Sequence, residues 1–477
     1  MKNIINKIKK NILIFNSLNN KKEKFIPIIK NNIGMYVCGP TMYNNIHLGN
    51  CRTLIFFDLL YRYFKHLKFK IKYIRNITDI DHLELNKNNF TISIEIIQKK
   101  LINFYFTLKK LNLLFPNIEP RSTCHIIEQI ENIKKIIKSN LCYIKNGSIY
   151  LNIKKYNKKF GNYGNILNNI KLNNEIIINN KFKNEKKNFY DFAIWINRNI
   201  KYTIKWKSPW GLGVPGWHIG CSTISNKYLG SYFDIHGGGI DLKFPHHECE
   251  ISQCNIINNN KNNLAKYWIH TNMLTINNKK MSKSLNNYIN PYDLIKGKLK
   301  ITNYKKINPM IIRLYILQTH YRNNINFCYN SIIDTKKKYK KLFNIFYIIK
   351  KIKVKKKTSY YINIKNIYLN CYNSINNDFN IPLLIYNIFK IKNILIKCLN
   401  NELQITLNDL LKLKNLIKIF IINILGLKKK KKKIKNNIIK KILKIRNEMR
   451  KNKMYYYSDK LRKIFKKYFN INDIKIK

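Results

Sequence analysis

Two stretches bring together residue types suited to a phosphorylated substrate. The first is Cys38-Gly39-Pro40-Thr41-Met42-Tyr43-Asn44-Asn45-Ile46-His47-Leu48-Gly49-Asn50. It runs into a helical pattern, and a helix N-terminus offers unpaired N–H groups and a positive dipole end to phosphate. His47 can donate to a phosphoryl oxygen there, while Gly49 lets a nucleotide lie against the backbone. The second is Lys279-Lys280-Met281-Ser282-Lys283-Ser284, ahead of the turn residues Asn286-Asn287. On a loop, Lys283 can neutralise charge developing on a triphosphate. Each stretch alone also fits a blander reading: a histidine in an ordinary turn, a solvated lysine loop. His246 and Glu250 stand four apart on a predicted helix, so an imidazole and a carboxylate share one face. Ten cysteines are scattered along the chain, and any one of them reads equally well as a small buried thiol.

These residues need a scaffold. Ile33–Val37 is a short β-forming run, Asn50–Leu67 has helical apolar spacing, and Ile71–Ile77 is a second strand candidate. Strand, helix, strand is a βαβ unit with a ligand crevice at its strand ends. A second such unit runs from Tyr232–His236, through a helix near His246–Cys254, to Tyr267–His270. Between them, Phe90–Lys201 is Asn/Lys-rich and reads as a mostly helical insertion. Composition changes near residue 325. All ten histidines and all five tryptophans lie at or before His320, and Gly426 and Pro382 are the only glycine and proline after Pro309. The remainder reads as long amphipathic helices, with Leu384, Ile388, Ile391 and Leu395 on one face. The expected architecture is an α/β Rossmann-like domain over residues 1–325, its insertion at about 90–201, and an all-α bundle over 326–477.

Lys+Arg number 91 against Asp+Glu 24, a net charge of +67 over 477 residues, while 45% apolar content rules out a disordered basic tail. With only two alanines (Ala193, Ala265) and abundant Lys, Asn and Ile, part of that charge reads as AT-rich coding drift. A surface this basic still attracts polyanions. From Ser331 onward the count is 39 Lys+Arg against 7 Asp+Glu. Ile12–Phe15 is too short for a signal core, and Leu416–Leu427 is broken by Lys418 and Asn423, short of the roughly 20 residues of a membrane span. Scattered cysteines suit a reducing compartment, so a cytoplasmic protein is expected.

Taken together, His47-Leu48-Gly49-Asn50 and Lys280-Met281-Ser282-Lys283-Ser284 resemble the two nucleotide-binding motifs of class I aminoacyl-tRNA synthetases. Further words narrow the resemblance to the cysteinyl-tRNA synthetases. They are Met35–Asn50, Asn76–Asp81, Ser208–Gly211, Pro215–Ile219, Phe233–Phe244 with Pro245–Glu248, and Asn377-Asp378-Phe379-Asn380 before Pro382. The resemblance implies an ATP-dependent ligase that makes cysteinyl-adenylate and passes cysteine to the terminal adenosine of its tRNA. His47, Lys280 and Lys283 would be catalytic, with Gly49, Asn50 and Ser282 also binding ATP, which brings Mg2+. One zinc per chain would be held by Cys38, Cys221, His246 and Glu250, a ligand set the resemblance supplies. Zinc can take the substrate thiolate as an added ligand, separating cysteine from serine, which an apolar pocket separates poorly. Trp217 and His236 would wall the cysteine pocket, as would Thr78 and Asp81, with Asp241 near the ribose or adenine. The implied partners are cysteine tRNA, ATP and L-cysteine, with no membrane, and a monomer is expected.

The chain departs from the family's pattern at Val214 (usually Arg), Gly220 (Glu), Ile196 (Lys), Ile240 (small and polar), and His82-Leu83 (Asp-Lys). Cys249 replaces an Asn and stands three residues from His246, within reach of competing as a ligand. Two rival readings stand beside this one: a ligase joining cysteine to an amino sugar on the same catalytic domain, and a catalytically decayed RNA-binding protein. The long basic tail speaks against the first and the intact motifs against the second.

Overall fold

The computed structural model describes residues 2–43, 45–80, 90–161, 163–167, 185–197, 204–281, 287–298, 306–355, 362–429 and 436–469. The chain opens with helix α1 (Lys2–Lys10) and the hairpin β1 (Leu13–Asn16) and β2 (Lys21–Lys24). The first βαβ unit follows as β3 (Asn32–Val37), α2 (Leu48–His66) and β4 (Lys70–Arg75). Helix α2 buries Leu54, Phe57, Leu60 and Phe64 but also Asp58, so it is enclosed on more than one side. Asp58 is paired there with Arg62 and with the fully buried Arg313. Removing one partner of such a buried pair typically costs about 3–5 kcal/mol, since it strands the other charge.

The insertion begins with α3 (Phe90–Lys110) and α4 (Ile126–Lys138), helical as expected. It also contains β5 (Cys142–Lys145), β6 (Ser148–Leu151), α5 (Ile153–Phe160) and β7 (Phe192–Asn197), and β8 (Gly213–Pro215) follows just beyond it. These strands form one antiparallel sheet in the order β5-β6-β7-β8, which joins the helices of a mostly helical insertion. Asn146 (φ 52°) and Gly147 (φ 75°) supply the left-handed pair a two-residue hairpin demands. The runs Ile149-Tyr150-Leu151 and Phe192–Ile196 then carry the β-branched and aromatic residues that pair across it.

The second βαβ unit comprises α6 (Ile219–Leu229), β9 (Phe233–Gly239), the short α7 (Ile240–Leu242), α8 (Glu248–Ile257) and β10 (Ala265–Thr271). The central sheet is wholly parallel, ordered β10-β9-β3-β4, with Met35 opposite Ile235 and Val37 opposite Gly237. From β3 the chain moves outward to β4, and from β9 it moves the other way to β10. The carboxyl ends of β3 and β9 therefore flank a topological switch point, where such sheets open a ligand crevice.

A small sheet follows: β11 (Leu274–Ile276) turns back as β12 (Lys279–Lys280) through Asn277 and Asn278, both left-handed, and β13 (Ile325–Phe327) pairs parallel to β11. Helices α9 (Pro291–Lys296) and α10 (Pro309–Leu317) lie between those strands in sequence. Then come α11 (Tyr329–Lys351), α12 (Ile364–Asn376), α13 (Ile381–Leu399) and α14 (Leu407–Ile417), as the apolar spacing predicts. Their buried faces join one continuous core with α2 and the sheet, running from Ile8 to Leu427. Met1–Lys428 is one compact unit, and Lys429–Lys477, with α15 (Asn436–Lys451) and α16 (Tyr455–Phe469), is a second. Among the described residues no helix is long and apolar enough to cross a membrane.

Candidate active site and metal centre

A cavity of about 370 Å³ opens at the switch point. Its lining comes from the ends of β3 and β9, the start of α2, the first turn of α6 and the β11–β12 hairpin. Cys38, His47, Gly49, Asn50, Asp241, His246 and Lys280 all face it, as do Thr78, Trp217 and Cys221. His47 and Lys280, from motifs in different halves of the sequence, thus line one crevice.

His47 is the N-cap of α2. Its Nδ1 accepts from the Asn50 backbone N–H at 3.2 Å, and the Asn50 side-chain oxygen accepts from the His47 N–H at 2.9 Å. This reciprocal box assigns the proton to Nε2, the ring nitrogen left to donate. Burial lowers the His47 pKa, opposed by Asp241, so the donor is a neutral imidazole at pH 7. Gly49 is needed for a reason its sequence context does not disclose: a Cβ there would stand 2.8 Å from the His47 ring. Asn50→Ala is expected to lower stability by about 1 kcal/mol, as for removal of a cap, and to slow turnover by releasing the imidazole. Thermal melts beside rate measurements check this; an unchanged rate would separate the cap from the chemistry.

Lys280 ends the exposed hairpin, where its carbonyl accepts from the Asn287 side chain at 2.9 Å. Ser282, Lys283 and Ser284 lie outside the described residues, as does Asp81.

Below the cavity, four buried side chains converge. Cys38 Sγ lies 3.8 Å from Cys221 Sγ and 3.2 Å from Glu250 Oε1, and His246 Nε2 lies 3.0 Å from the same oxygen. Their ligand atoms are all within 4.8 Å of one another. Two thiols, an imidazole and a carboxylate fit a tetrahedral zinc site in both donor type and number. Cys221 comes from the first turn of α6, where the helix dipole favours a thiolate. Donation from Cys38 brings the Cys221 pKa down to about 6 against the effect of burial, whereas burial pushes Cys38 up. Burial opposes the charges of Glu250 and His246 as well. His236 and His246 nevertheless hold Glu250 down to about 2, and Cys221 and Glu250 lift His246 to about 10. The cluster thus stores charge that a cation would balance.

Cys38, His236, His247 and Glu250 form an overlapping group. His236 and His247 do not line the cavity, however, and His247 Nδ1 is taken by His270 Nε2 at 2.8 Å. The two-thiol set is the one open to a substrate. His236, expected at the wall of the cysteine pocket, is wholly buried with Nε2 2.9 Å from Glu250 Oε2, where it orients the carboxylate. Cys249 belongs to neither group; its Sγ lies 3.2 Å from the Tyr163 hydroxyl in a separate apolar cluster.

Sequence reasoning missed His218, whose Nδ1 meets His246 Nδ1 at 2.9 Å and so orients that ring. Its place beside Trp217, inside Pro215–Ile219, was the available signal. It also missed Tyr288, whose ring stands edge-on to His47 with centroids 5.5 Å apart. Ile196 and Val214, two of the departures named above, are cross-strand partners in the β7–β8 ladder, buried with Ile80 and Ile126. At Gly220 a Cβ would lie 3.3 Å from Ser122 Oγ, a tight contact.

Residues 24–337 match the family model described as the tRNA synthetases class I (C) catalytic domain. A cysteine–tRNA ligase of Azobacteroides pseudotrichonymphae is 38% identical over 477 aligned positions, covering 95% of each chain. One from Bacteroides thetaiotaomicron is 37% identical over 94% of each, and one from Methanococcus vannielii 34% over 94% of each. Among solved structures, the fold resembles Mycobacterium tuberculosis methionyl-tRNA synthetase bound by methionyl-adenylate. The TM-score is 0.57 at 10% identity, over 83% of this chain and 92% of that one. With the family model spanning most of the chain and the relatives aligned almost end to end, the chain belongs to the class I cysteinyl-tRNA synthetases.

Proposed function

We propose that this chain is an ATP-dependent ligase that activates L-cysteine as its adenylate and transfers it to the 3′-terminal adenosine of cysteine tRNA. The observation that carries this reading is one crevice in which a buried two-thiol cluster meets His47 and Lys280. His47 donates through Nε2–H to a phosphate oxygen at the start of α2. Lys280 and Lys283 stabilise the charge that grows as the cysteine carboxylate attacks the α-phosphorus and pyrophosphate departs. Gly49, Asn50 and Ser282 shape the nucleotide side, with Mg2+ accompanying ATP. Cys38, Cys221, His246 and Glu250 would hold zinc, which when bound favours a thiolate over an alcohol. Thr78 and Trp217 border the amino acid, and Asp241 faces the nucleotide side. The work is mostly positioning and charge stabilisation.

Residues 1–325 supply catalysis in this reading and 326–477 supply tRNA contacts, in a cytoplasmic enzyme. Cysteine-dependent ATP–pyrophosphate exchange followed by transfer to tRNA tests it directly. Exchange without transfer to tRNA would leave activation standing and overturn the acceptor.

The tail makes a separate prediction. Lys429–Lys477 carries 20 Lys+Arg against 3 Asp+Glu. Because α11–α14 share the catalytic core, the informative truncation is after Lys428. It should weaken tRNA binding and flatten its salt dependence, by roughly 0.7–0.9 in the log–log slope for each phosphate no longer neutralised. Unchanged affinity and slope would mark those lysines as compositional drift.

A further inference from the structure

Arg52 lies five residues beyond His47 on α2, almost wholly buried, and pairs with no carboxylate among the described residues. Its guanidinium donates only to backbone carbonyls. Nη1 reaches Met273 O at 2.5 Å, and Nη2 reaches Tyr321 O at 2.9 Å and His320 O at 3.2 Å, with Asn323 O as a further close partner. Met273 immediately precedes β11, and residues 320–323 end one residue before β13. Those strands are parallel neighbours, Leu274 opposite Ile325, and β11 turns back into the hairpin that ends at Lys280. The two lead-in segments are stapled to each other as well: Asn272 N donates to Tyr321 O at 2.8 Å, and Ile325 N to Met273 O at 3.1 Å.

The 320–322 segment is anchored from its other side. The Tyr321 hydroxyl and Arg322 Nε donate to the buried Asp378 carboxylate at 2.5 and 2.8 Å. Asp378 and Phe379, both left-handed, form the turn between α12 and α13. That gives the Asn377–Asn380 word a place in the fold. Arg52 thus joins a fixed anchor to the helix whose first turn presents His47. Burying an unpaired cation is expensive, and a planar fork spreading its N–H groups over several carbonyls suits that load as an ammonium does not.

We propose that Arg52 is a positioning residue for adenylate formation: it sets the separation of His47 and the Lys280 hairpin across the crevice. The inference rests on the ligase reading above and assigns a further residue to that same site. A displacement near 1 Å in such a constellation can cost about 10²-fold in rate, with every reacting group still present.

The test is cysteine-dependent ATP–pyrophosphate exchange by the full chain, as wild type, Arg52→Met and Arg52→Lys. Active sites are counted by the single-turnover yield of adenylate. The expected result for Arg52→Met is a per-site kcat lower by about 10–100-fold, a raised KM for ATP, and a KM for cysteine within about two-fold of wild type. Arg52→Lys should recover part of the rate, and metal content should be equal in all three. A residue that merely stabilised the fold would reduce the number of active sites and leave the survivors with wild-type constants. That outcome overturns the proposal, as does an equal rise in both KM values or failure of both variants to fold. If only Arg52→Met fails to fold, Arg52→Lys decides on the same criteria. No exchange by the wild-type chain overturns the ligase reading itself; normal wild-type exchange with unaltered variants overturns the clamp alone.

Discussion

Replacing Cys221 with serine is expected to remove bound zinc and, with it, the preference for cysteine over serine. Cys221 is the thiol the fold holds closest to its ionised form, on the first turn of α6 and accepting from Cys38. Serine keeps the shape but offers an alcohol, a poor ligand for a soft site. Loss of an outer partner of a metal ligand typically costs 10–100-fold in affinity or activity. Loss of a ligand itself should exceed that, on the order of 10³-fold in cysteine activation. For the unaltered chain, rejection of serine should reach roughly 10⁴-fold in kcat/KM, the range open to a site built around one specific polar group. Metal analysis and exchange with each amino acid test both halves. Full zinc occupancy in Cys221→Ser would remove Cys221 from the site, and ready activation of serine by the wild-type chain would remove the metal from specificity.

Lys283→Ala should slow adenylate formation by on the order of 10²-fold or more while changing cysteine affinity little. Its charge is wanted where the triphosphate breaks, not where the amino acid sits. Lys280, at the end of the hairpin, already faces the cavity, so the segment starts from the correct side of the crevice. Exchange kinetics with saturating cysteine and varied ATP make the measurement. An unchanged rate would return Lys279–Ser284 to the status of a solvated loop.

The βαβ units were legible because their signals are local. Ile33–Val37 and Phe233–His236 are β-forming runs bounded by turn residues, and α2 has unmistakable apolar spacing. His246 and Glu250 were legible for the same reason, since four residues on a helix is a fixed distance. Cys38 and Cys221 were not, because 183 residues separate them and no periodicity spans that gap. Only the resemblance joined them. The antiparallel sheet of the insertion was missed although Asn146-Gly147 announced a hairpin; the Asn/Lys-rich surroundings diluted the alternation on either side. The contact of His236 with Glu250 was not legible, because 14 residues separate the two and no periodicity joins a strand to the helix after it. Arg52 was silent in the sequence, since its partners are backbone carbonyls, which carry no residue signature.

The separation of Cys38 from Glu250 by 212 residues has a consequence for biosynthesis. At roughly 5–20 residues per second, the nascent chain carries Cys38 for about 10–40 seconds before Glu250 has been added. During that interval β3 can already pair with β4, the next strand in sequence, while its other edge waits for β9. An unpaired strand edge beside a free thiol is exposed both to misplaced pairing and to premature metal capture. The order of synthesis thus makes completion of the Cys38, Cys221, His246 and Glu250 cluster a late event, after β9 has been added.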